Sequence, residues 1–157
     1  MHRQMLKSKI HRATVTDCDP DYVGSVTIDP DLMASADLLP NEQVHVWDID
    51  NGARFITYVI EGGRGSGQVQ VNGAAALLVR RGDKVIVASF AAYDAADLDA
   101  YSPIVVHVDE RNRVGAVDSN PEVLLSGFAT AQGPTGMFGA EDIPGVLASG
   151  TTGGLPA

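Results

Sequence analysis

The segment QVHVWDIDNGARFITYVI, residues 43–60, carries the strongest local fold signal in this chain of 157 residues. Residues with high strand propensity, among them Val, Ile, Phe, Tyr and Trp, lie on both sides of the tripeptide Asp-Asn-Gly at residues 50–52. Asparagine and glycine tolerate the positive φ that a tight turn between two strands requires. The segment therefore predicts a β-hairpin with strands at 43–49 and 54–60.

Short segments around this hairpin indicate a mainly β fold. Further strands are predicted at 11–16, 23–28, 68–71, 84–90 and 104–108, where Val, Ile and Thr are frequent. Asp29 before Pro30 is typical of a helix start, and this helix is expected to end before Pro40. Another helical segment is predicted around 94–100. Many short strands with few helices favour a small closed barrel.

Composition excludes several classes of function. The formal net charge of -9 argues against a nucleic-acid partner, because phosphate binding needs a basic surface. No apolar run approaches the length of a membrane span, and the basic residues 1–16 lack the apolar core of a secretory signal. Cys18 is the only cysteine, so neither an internal disulfide nor a cysteine cluster for zinc is possible. We expect a cytoplasmic protein without a membrane partner.

The C-terminal quarter differs from the rest. Residues 118–157 contain 8 of the 17 glycines and 4 of the 8 prolines, and their only charged residues are acidic. Such a segment buries too little apolar surface to offset the entropy lost on ordering. We predict one β-barrel domain at 1–117, followed by a mostly disordered, acidic Gly/Pro-rich tail at 118–157.

The segment YVGSVTID, residues 22–29, contains a Gly-Ser bond that is a candidate for self-cleavage. A serine hydroxyl at Ser25 can attack the preceding carbonyl in a strained backbone, and Gly24 lets the oxygen approach because it has no Cβ. β-Elimination of the resulting ester, then hydrolysis, leaves a pyruvoyl group. Most Gly-Ser pairs are turns, however, and Gly65-Ser66 is a second one.

The hairpin carries three further candidates. Arg54 offers a planar guanidinium that matches a carboxylate, although a lone arginine is more often a solvated surface charge. Tyr58 shares the face of Arg54 in a regular strand, and its role is either proton donation or simple packing. Thr57 points to the opposite face. A site using all three requires a bulged strand or a second subunit.

Three other candidates complete the list: a pair of residues, a single residue and a run of small residues. Lys9 and His11 lie at alternate positions, so an extended strand presents both to one substrate or to solvent. Trp47, the only tryptophan, is either a contact or a core residue. The run of small residues 72–76 either lets a ligand approach an anion-binding backbone or forms a turn before a short helix.

Taken together, these residues resemble one family. The segments MLKSKIHRATVT, YVGSVTID, WDIDNGARFITY, RGSG, VNGAAA and GDKVIVASF follow in the order seen in pyruvoyl-dependent aspartate 1-decarboxylases. The match covers roughly residues 1–115. The resemblance implies a double-psi β-barrel, a homotetramer with active sites between subunits, and a proenzyme that cleaves itself into a β chain, 1–24, and an α chain, 25–157.

The resemblance also implies the chemistry and the site. L-aspartate would form a Schiff base with the pyruvoyl group and lose CO2, giving β-alanine for pantothenate and coenzyme A synthesis. This lyase would need neither a metal nor pyridoxal phosphate. Ser25 would be the pyruvoyl precursor, Tyr58 the proton donor, and Thr57 a substrate contact that also supports the oxyanion of self-cleavage. The other matching positions are Lys9, His11, Tyr22, Gly24, Trp47, Arg54, Asn72, Gly73, Ala74 and Ala75.

Two alternatives remain open from the residues. One keeps the pyruvoyl group but changes the substrate to histidine, arginine or a larger amine; Arg54 favours a dicarboxylic acid instead. The other is a barrel without catalysis that binds a partner, with residues 24–25 an ordinary part of a strand.

Overall fold

The computed structural model describes residues 1–122 as a mainly β protein with short helices. The strands are β1 (Arg3–Thr14), β2 (Asp17–Asp19), β3 (Ser25–Ile28), β4 (Gln43–Asp48), β5 (Arg54–Glu61), β6 (Val69–Asn72), β7 (Lys84–Tyr93), β8 (Ile104–Val108) and β9 (Val114–Asp118). The helices are α1 (Pro30–Ser35) and two 3₁₀ helices, Gly73–Leu77 and Asp97–Ala100.

The strands form one sheet that closes on itself. Their order is β2-β6-β3-β5-β4-β7-β1-β8-β9. β1 runs on into β2 through Val15 and Thr16 alone, and the Thr16 N–H donates to the Val69 carbonyl at 2.8 Å. Five of the eight neighbouring pairs are antiparallel, and three, β1/β8, β2/β6 and β3/β5, are parallel. The predicted small, mainly β barrel is confirmed, and its double-psi type stays what the family resemblance implies.

The predicted hairpin is β4 and β5, paired antiparallel from Gln43 opposite Tyr58 to Trp47 opposite Arg54. Gly52 has a φ of +79°, as its place in the turn requires. Asp48 organises the turn, since its carboxylate accepts the Asp50 N–H at 2.8 Å. The hairpin prediction is therefore confirmed, and β4 and β5 place the candidate residues of this region on neighbouring strands.

The barrel interior is built mainly from valine. Val26 and Ile28 of β3, Val59 of β5 and Val71 of β6 are fully buried and belong to one core cluster. Residues of a strand point alternately to the two faces of a sheet. The residues between these core positions therefore lie on the outer face of the barrel.

The predicted start of α1 is also confirmed. Asp29 caps the helix by accepting the Asp31 N–H at 2.9 Å, and Pro30 follows as the first helical residue. The same carboxylate accepts the N–H groups of Gly65 and Gly67. Burial acts to raise the pKa of Asp29, but these three N–H donors hold it below its ordinary value. Asp29 thus ties the glycine-rich loop to the end of β3.

The strand predictions were incomplete at both ends of the described chain. β1 begins at Arg3 rather than at residue 11, and neither β2 nor β9 was predicted. The predicted domain boundary after residue 117 falls inside β9, which ends at Asp118. The remainder of the predicted tail, 123–157, lies outside the described residues, and its disorder stays a prediction. Among residues 1–122, no helix has both the length and the apolar character needed to cross a membrane.

Candidate active site

Ser25 lies at the start of β3 on the outer face, since the next residue, Val26, points into the core. It is nevertheless only 1% exposed. The Asn72 Nδ2 group donates to Ser25 Oγ at 3.0 Å and to Thr27 Oγ1 at 2.9 Å. Ser25 Oγ in turn donates to the Val23 carbonyl at 3.1 Å. The hydroxyl is therefore held in one position by a fully buried amide.

Gly73, rather than Gly24, needs to be glycine in this arrangement. Gly73 has a φ of +69°, and a Cβ built on it would lie 2.6 Å from the Gly24 Cα and 3.3 Å from the Tyr22 carbonyl. A Cβ on Gly24 meets no atom within 4 Å, and its φ lies outside the left-handed region. The sequence-based reason for Gly24 is not supported here. The close backbone approach comes from Gly73.

Replacing Gly73 with alanine is expected to destabilise the barrel. The left-handed φ costs about 1–2 kcal/mol for a residue with a Cβ, and the clash with the Gly24 backbone adds about 1–3 kcal/mol. Urea unfolding measures the sum. Gly52→Ala is the matched control, because Gly52 has a φ of +79° but open space around its missing Cβ. Equal losses for the two variants would contradict the close approach at Gly73.

Tyr58 and Ser25 lie at the same end of the parallel pair β3/β5. Val26 pairs with Val59, and Ser25 and Tyr58 are the residues immediately before them. Both therefore lie on the outer face. Thr57 pairs with the core residue Val44, so it belongs to the inner face, as the strand period predicts. Both ladders of β5 run without a register shift, which removes the bulged strand from the two alternatives.

Arg54 and Trp47 form a cross-strand pair near the hairpin turn. The Arg54 guanidinium carbon lies 5.3 Å from the centre of the Trp47 ring, within the range of a cation–π contact. Arg54 itself is exposed. At the rise of a strand, its four-residue separation from Tyr58 corresponds to about 13 Å. In one subunit, the guanidinium is therefore held by an aromatic ring some distance from Tyr58.

Lys9 and His11 lie side by side on β1, as the alternation predicts. The His11 ring lies 5.9 Å from the His107 ring, and both its nitrogens are buried without a hydrogen-bond partner among the described residues. Burial, followed by repulsion from Lys9, lowers the pKa of His11 to about 4, so the ring is neutral at pH 7. Lys9 Nζ donates to the Pro121 carbonyl at 3.0 Å.

The remaining predicted residues surround Gly73. The Tyr22 carbonyl lies next to Gly73, on the side where a Cβ would point, and the Tyr22 side chain is half exposed. Ala74 and Ala75 belong to the 3₁₀ helix Gly73–Leu77, so the predicted short helix is present, and contact of this run with a ligand stays a prediction. Sequence reasoning missed Thr27 and the polar side chains of β6 beside Asn72. The alternation of Gln68, Gln70 and Asn72 along a strand was the signal for them.

In one subunit these residues form three groups. The first, around Ser25, contains Tyr22, Gly24, Asn72, Gly73 and, at the end of the neighbouring strand, Tyr58. The second is the pair Trp47 and Arg54 on the hairpin. The third is Lys9 and His11 on β1, a strand that pairs with β7 and β8.

Comparison with known proteins assigns the family. The family model described as aspartate decarboxylase matches residues 1–115. A protein of Albidiferax ferrireducens named aspartate 1-decarboxylase is 55% identical over 114 residues, which are 73% of this chain and 84% of that protein. One of the same name from Pelotomaculum thermopropionicum is 58% identical over 114 residues, 73% of this chain and 86% of that protein.

A solved structure is also similar to part of the chain. It is a crystal structure of the rationally designed protein mkDPBB_sym_86, with 26% sequence identity and a TM-score of 0.39. The similarity covers 53% of this chain and 91% of the designed one. The match of the family model and the two relatives confirms the predicted family and enzyme class. The chain belongs to the aspartate decarboxylase family.

Proposed function

We propose that this protein converts L-aspartate to β-alanine and CO2, using a pyruvoyl group that it makes from its own Ser25. The observation that carries the proposal is the buried Ser25 hydroxyl, held by Asn72 directly after Gly24, in a chain of the aspartate decarboxylase family. A serine held in this position is the residue from which a pyruvoyl group would form, so Ser25 and Asn72 fit that group. The hydroxyl of the second Gly-Ser pair, Ser66, instead donates to the Gly63 carbonyl in an exposed turn, so Ser25 is the candidate nucleophile of the two.

Self-cleavage would begin at the Gly24-Ser25 bond. Ser25 Oγ attacks the Gly24 carbonyl carbon, a C–O bond forms, the C–N bond breaks, and the hydroxyl proton passes to the new amine. Loss of the Ser25 α-proton then expels the Gly24 carboxylate and leaves dehydroalanine. Its enamine tautomerises to an imine, and one water replaces ammonia to give the ketone. The close packing of Gly73 on Gly24 supports a defined backbone position at this bond.

The ketone would supply an electron sink for the carbon–carbon bond that breaks when CO2 leaves. Tyr58 is the proposed proton donor to the substrate α-carbon, because it lies on the outer face at the same end of its strand pair as Ser25. Gly73, Ala74 and Ala75 are proposed substrate contacts, since small side chains leave the backbone accessible. Thr57 lies on the inner face of β5, and the contacts described around Ser25 do not include it. Its proposed support of the oxyanion therefore rests on the family resemblance.

We propose that the site is completed between subunits of a homotetramer. Within one subunit Arg54 lies about 13 Å along the strand from Tyr58, and Lys9 and His11 lie on β1. The outer face between Arg54 and Tyr58 carries Ile56, which is 60% exposed and suited to burial against a second subunit. Analytical ultracentrifugation tests the assembly; a monomer with full activity would contradict it.

Arg54 is the proposed anchor of the substrate side-chain carboxylate. The α-carboxylate leaves as CO2 and loses its charge, so a firm ion pair to it would stabilise the ground state more than the transition state. We expect Lys9 to assist Arg54. His11, neutral at pH 7, would contribute hydrogen bonding and shape rather than charge.

Replacing Arg54 with lysine is expected to raise KM for aspartate about tenfold or more, because the two-pronged hydrogen bonding and the contact with Trp47 are lost. Turnover at saturating aspartate should change much less. Steady-state kinetics on fully cleaved protein measures both. Arg64→Lys is the matched control, since Arg64 is an exposed arginine paired with Asp31. An unchanged KM would remove Arg54 from this role.

Denaturing intact-mass spectrometry combined with an amino-acid panel tests the proposed function. Two chains separated between Gly24 and Ser25, with β-alanine formed from aspartate alone, are the expected result. Cleavage with a preference for histidine or arginine would favour the alternative substrate. A full-length chain that persists through long warm incubation and forms no product would overturn the proposal. Supply of pantothenate synthesis and a cytoplasmic location stay predictions.

A further inference from the structure

Three amide side chains form a continuous hydrogen-bonded row on the outer face of β6 and of Gln68, the residue before it. Gln68, Gln70 and Asn72 are alternate residues and therefore share one face. Gln68 Nε2 donates to Gln70 Oε1 at 3.0 Å, and Gln70 Nε2 donates to Asn72 Oδ1 at 2.9 Å. The row ends at Ser25, whose Oγ accepts from Asn72 Nδ2 at 3.0 Å. We call these three residues the amide row.

The two ends of the amide row set its direction. At one end the Gly63 N–H, which only donates, is 3.2 Å from Gln68 Oε1. At the other end the Val23 carbonyl, which only accepts, receives the Ser25 hydroxyl at 3.1 Å. Each amide between them must then accept on its oxygen and donate on its nitrogen. These contacts together determine the orientation of all three amides. The contacts of the Asn72 side chain alone would not distinguish its oxygen from its nitrogen.

This direction decides how the Ser25 hydroxyl is used. When Asn72 donates, one lone pair of Ser25 Oγ accepts the Asn72 N–H, and the Ser25 hydroxyl donates its hydrogen to the Val23 carbonyl. The second lone pair of Ser25 Oγ then remains available. A reversed Asn72 would present Oδ1 to Ser25 and draw the hydroxyl proton away from Val23. It would also place an acceptor against Thr27 Oγ1, which now accepts from Nδ2 at 2.9 Å. Gln70 is the residue that prevents this reversal from inside the row.

We propose that Gln70 is a positioning residue for self-cleavage: by donating to Asn72 Oδ1, it keeps the Asn72 amide aimed at the Ser25 hydroxyl. The inference rests on the proposed self-cleavage at Gly24-Ser25 and adds a residue that does not touch the reacting atoms. Gln68 supports Gln70 in the same way from one step further along the row. Hydrogen bonds in such a chain strengthen one another, so the effect passes along it.

Gln70→Glu tests the direction with little change in shape. An ionised carboxylate only accepts, so it cannot donate to Asn72 Oδ1; a protonated carboxyl has one donor and one acceptor, as the glutamine amide presents here. Self-cleavage should be about tenfold slower than wild type at high pH, the rate equivalent of one hydrogen bond. The ratio of variant to wild-type rate should rise toward one as pH falls through the pKa of the introduced carboxyl, about 4.3 or higher with burial.

Two further variants complete the design. Gln70→Leu neither donates nor accepts at any pH, so its cleavage should be slow throughout. Gln4→Glu introduces the same carboxylate at an exposed position of β1, and its rate should follow wild type. The readout is the fraction of full-length chain against time, by denaturing intact-mass spectrometry from about pH 8 to about pH 3.5, below the ordinary pKa of a glutamate. This readout does not depend on decarboxylase activity.

The outcomes separate this inference from the function on which it rests. Recovery of Gln70→Glu at low pH, with Gln70→Leu slow throughout, would support the positioning role. Wild-type rates for both variants, or equal slowing of both at every pH, would overturn it while leaving self-cleavage established. A wild-type chain that stays whole at every pH would overturn the proposed function and this inference together.

Discussion

Ser25→Ala is expected to yield a single full-length chain with no detectable decarboxylation. The methyl group that replaces the hydroxyl has no nucleophilic oxygen, so neither the cleavage nor the ketone can arise. The fold should persist, because the substitution removes one buried oxygen from a site where Asn72 also donates to Thr27. Denaturing intact-mass spectrometry and a β-alanine assay on the same preparation measure the two losses.

Ser66→Ala is the matched control, because it changes the serine of the other Gly-Ser pair. Ser66 lies in the loop after β5, and its hydroxyl donates to the Gly63 carbonyl within that turn. Cleavage after Gly24 and normal turnover are expected for this variant. A decarboxylase that remains active with alanine at position 25 would end the pyruvoyl scheme for this protein.

Tyr58→Phe is expected to cleave normally but to lower turnover by about 100- to 10,000-fold, the usual range for a positioned proton donor. Only the phenol oxygen is lost, and Tyr58 takes no part in the hydrogen bonds that hold the Ser25 hydroxyl. The two properties should therefore separate. Intact mass establishes that cleavage is complete, and kcat is then measured on that sample.

Tyr93→Phe is the control for removing a phenol oxygen elsewhere. Tyr93 lies at the end of β7, where its ring packs edge-on against Tyr101 at 5.2 Å between centroids. Its turnover should equal that of wild type. Near-normal turnover in fully cleaved Tyr58→Phe would assign the proton transfer to another group.

Local sequence was sufficient for the hairpin and for the start of α1. The turn at Gly52 and the cap at Asp29 depend on residues within a few positions of each other. β2 was missed because its three residues, Asp17–Asp19, have low strand propensity and are held by pairing with β6. β9 is likewise stabilised by pairing with β8 rather than by its composition.

Residue types alone indicated the chemistry at Ser25 but not its environment. The sequence motif drew attention to Gly24, whereas the residue that must be glycine is Gly73, which lies opposite Gly24 where β6 pairs with β3. His11 lies in a segment rich in basic residues, but burial lowers the pKa of its ring to about 4, so the ring is neutral at pH 7.

By itself, the sequence determined the strand-rich fold, the hairpin, the candidate nucleophile and the family resemblance, because turn chemistry, strand period and motifs are properties of neighbouring residues. Only the tertiary structure decided which side chains meet. β3 lies between β5 and β6, so Ser25 comes to lie beside Tyr58 and opposite Asn72. The direction of the amide row depends on Gly63 and Val23, 40 residues apart in sequence. The row reaches Ser25 because β6 pairs with β3, a pairing that no local pattern of the sequence determines.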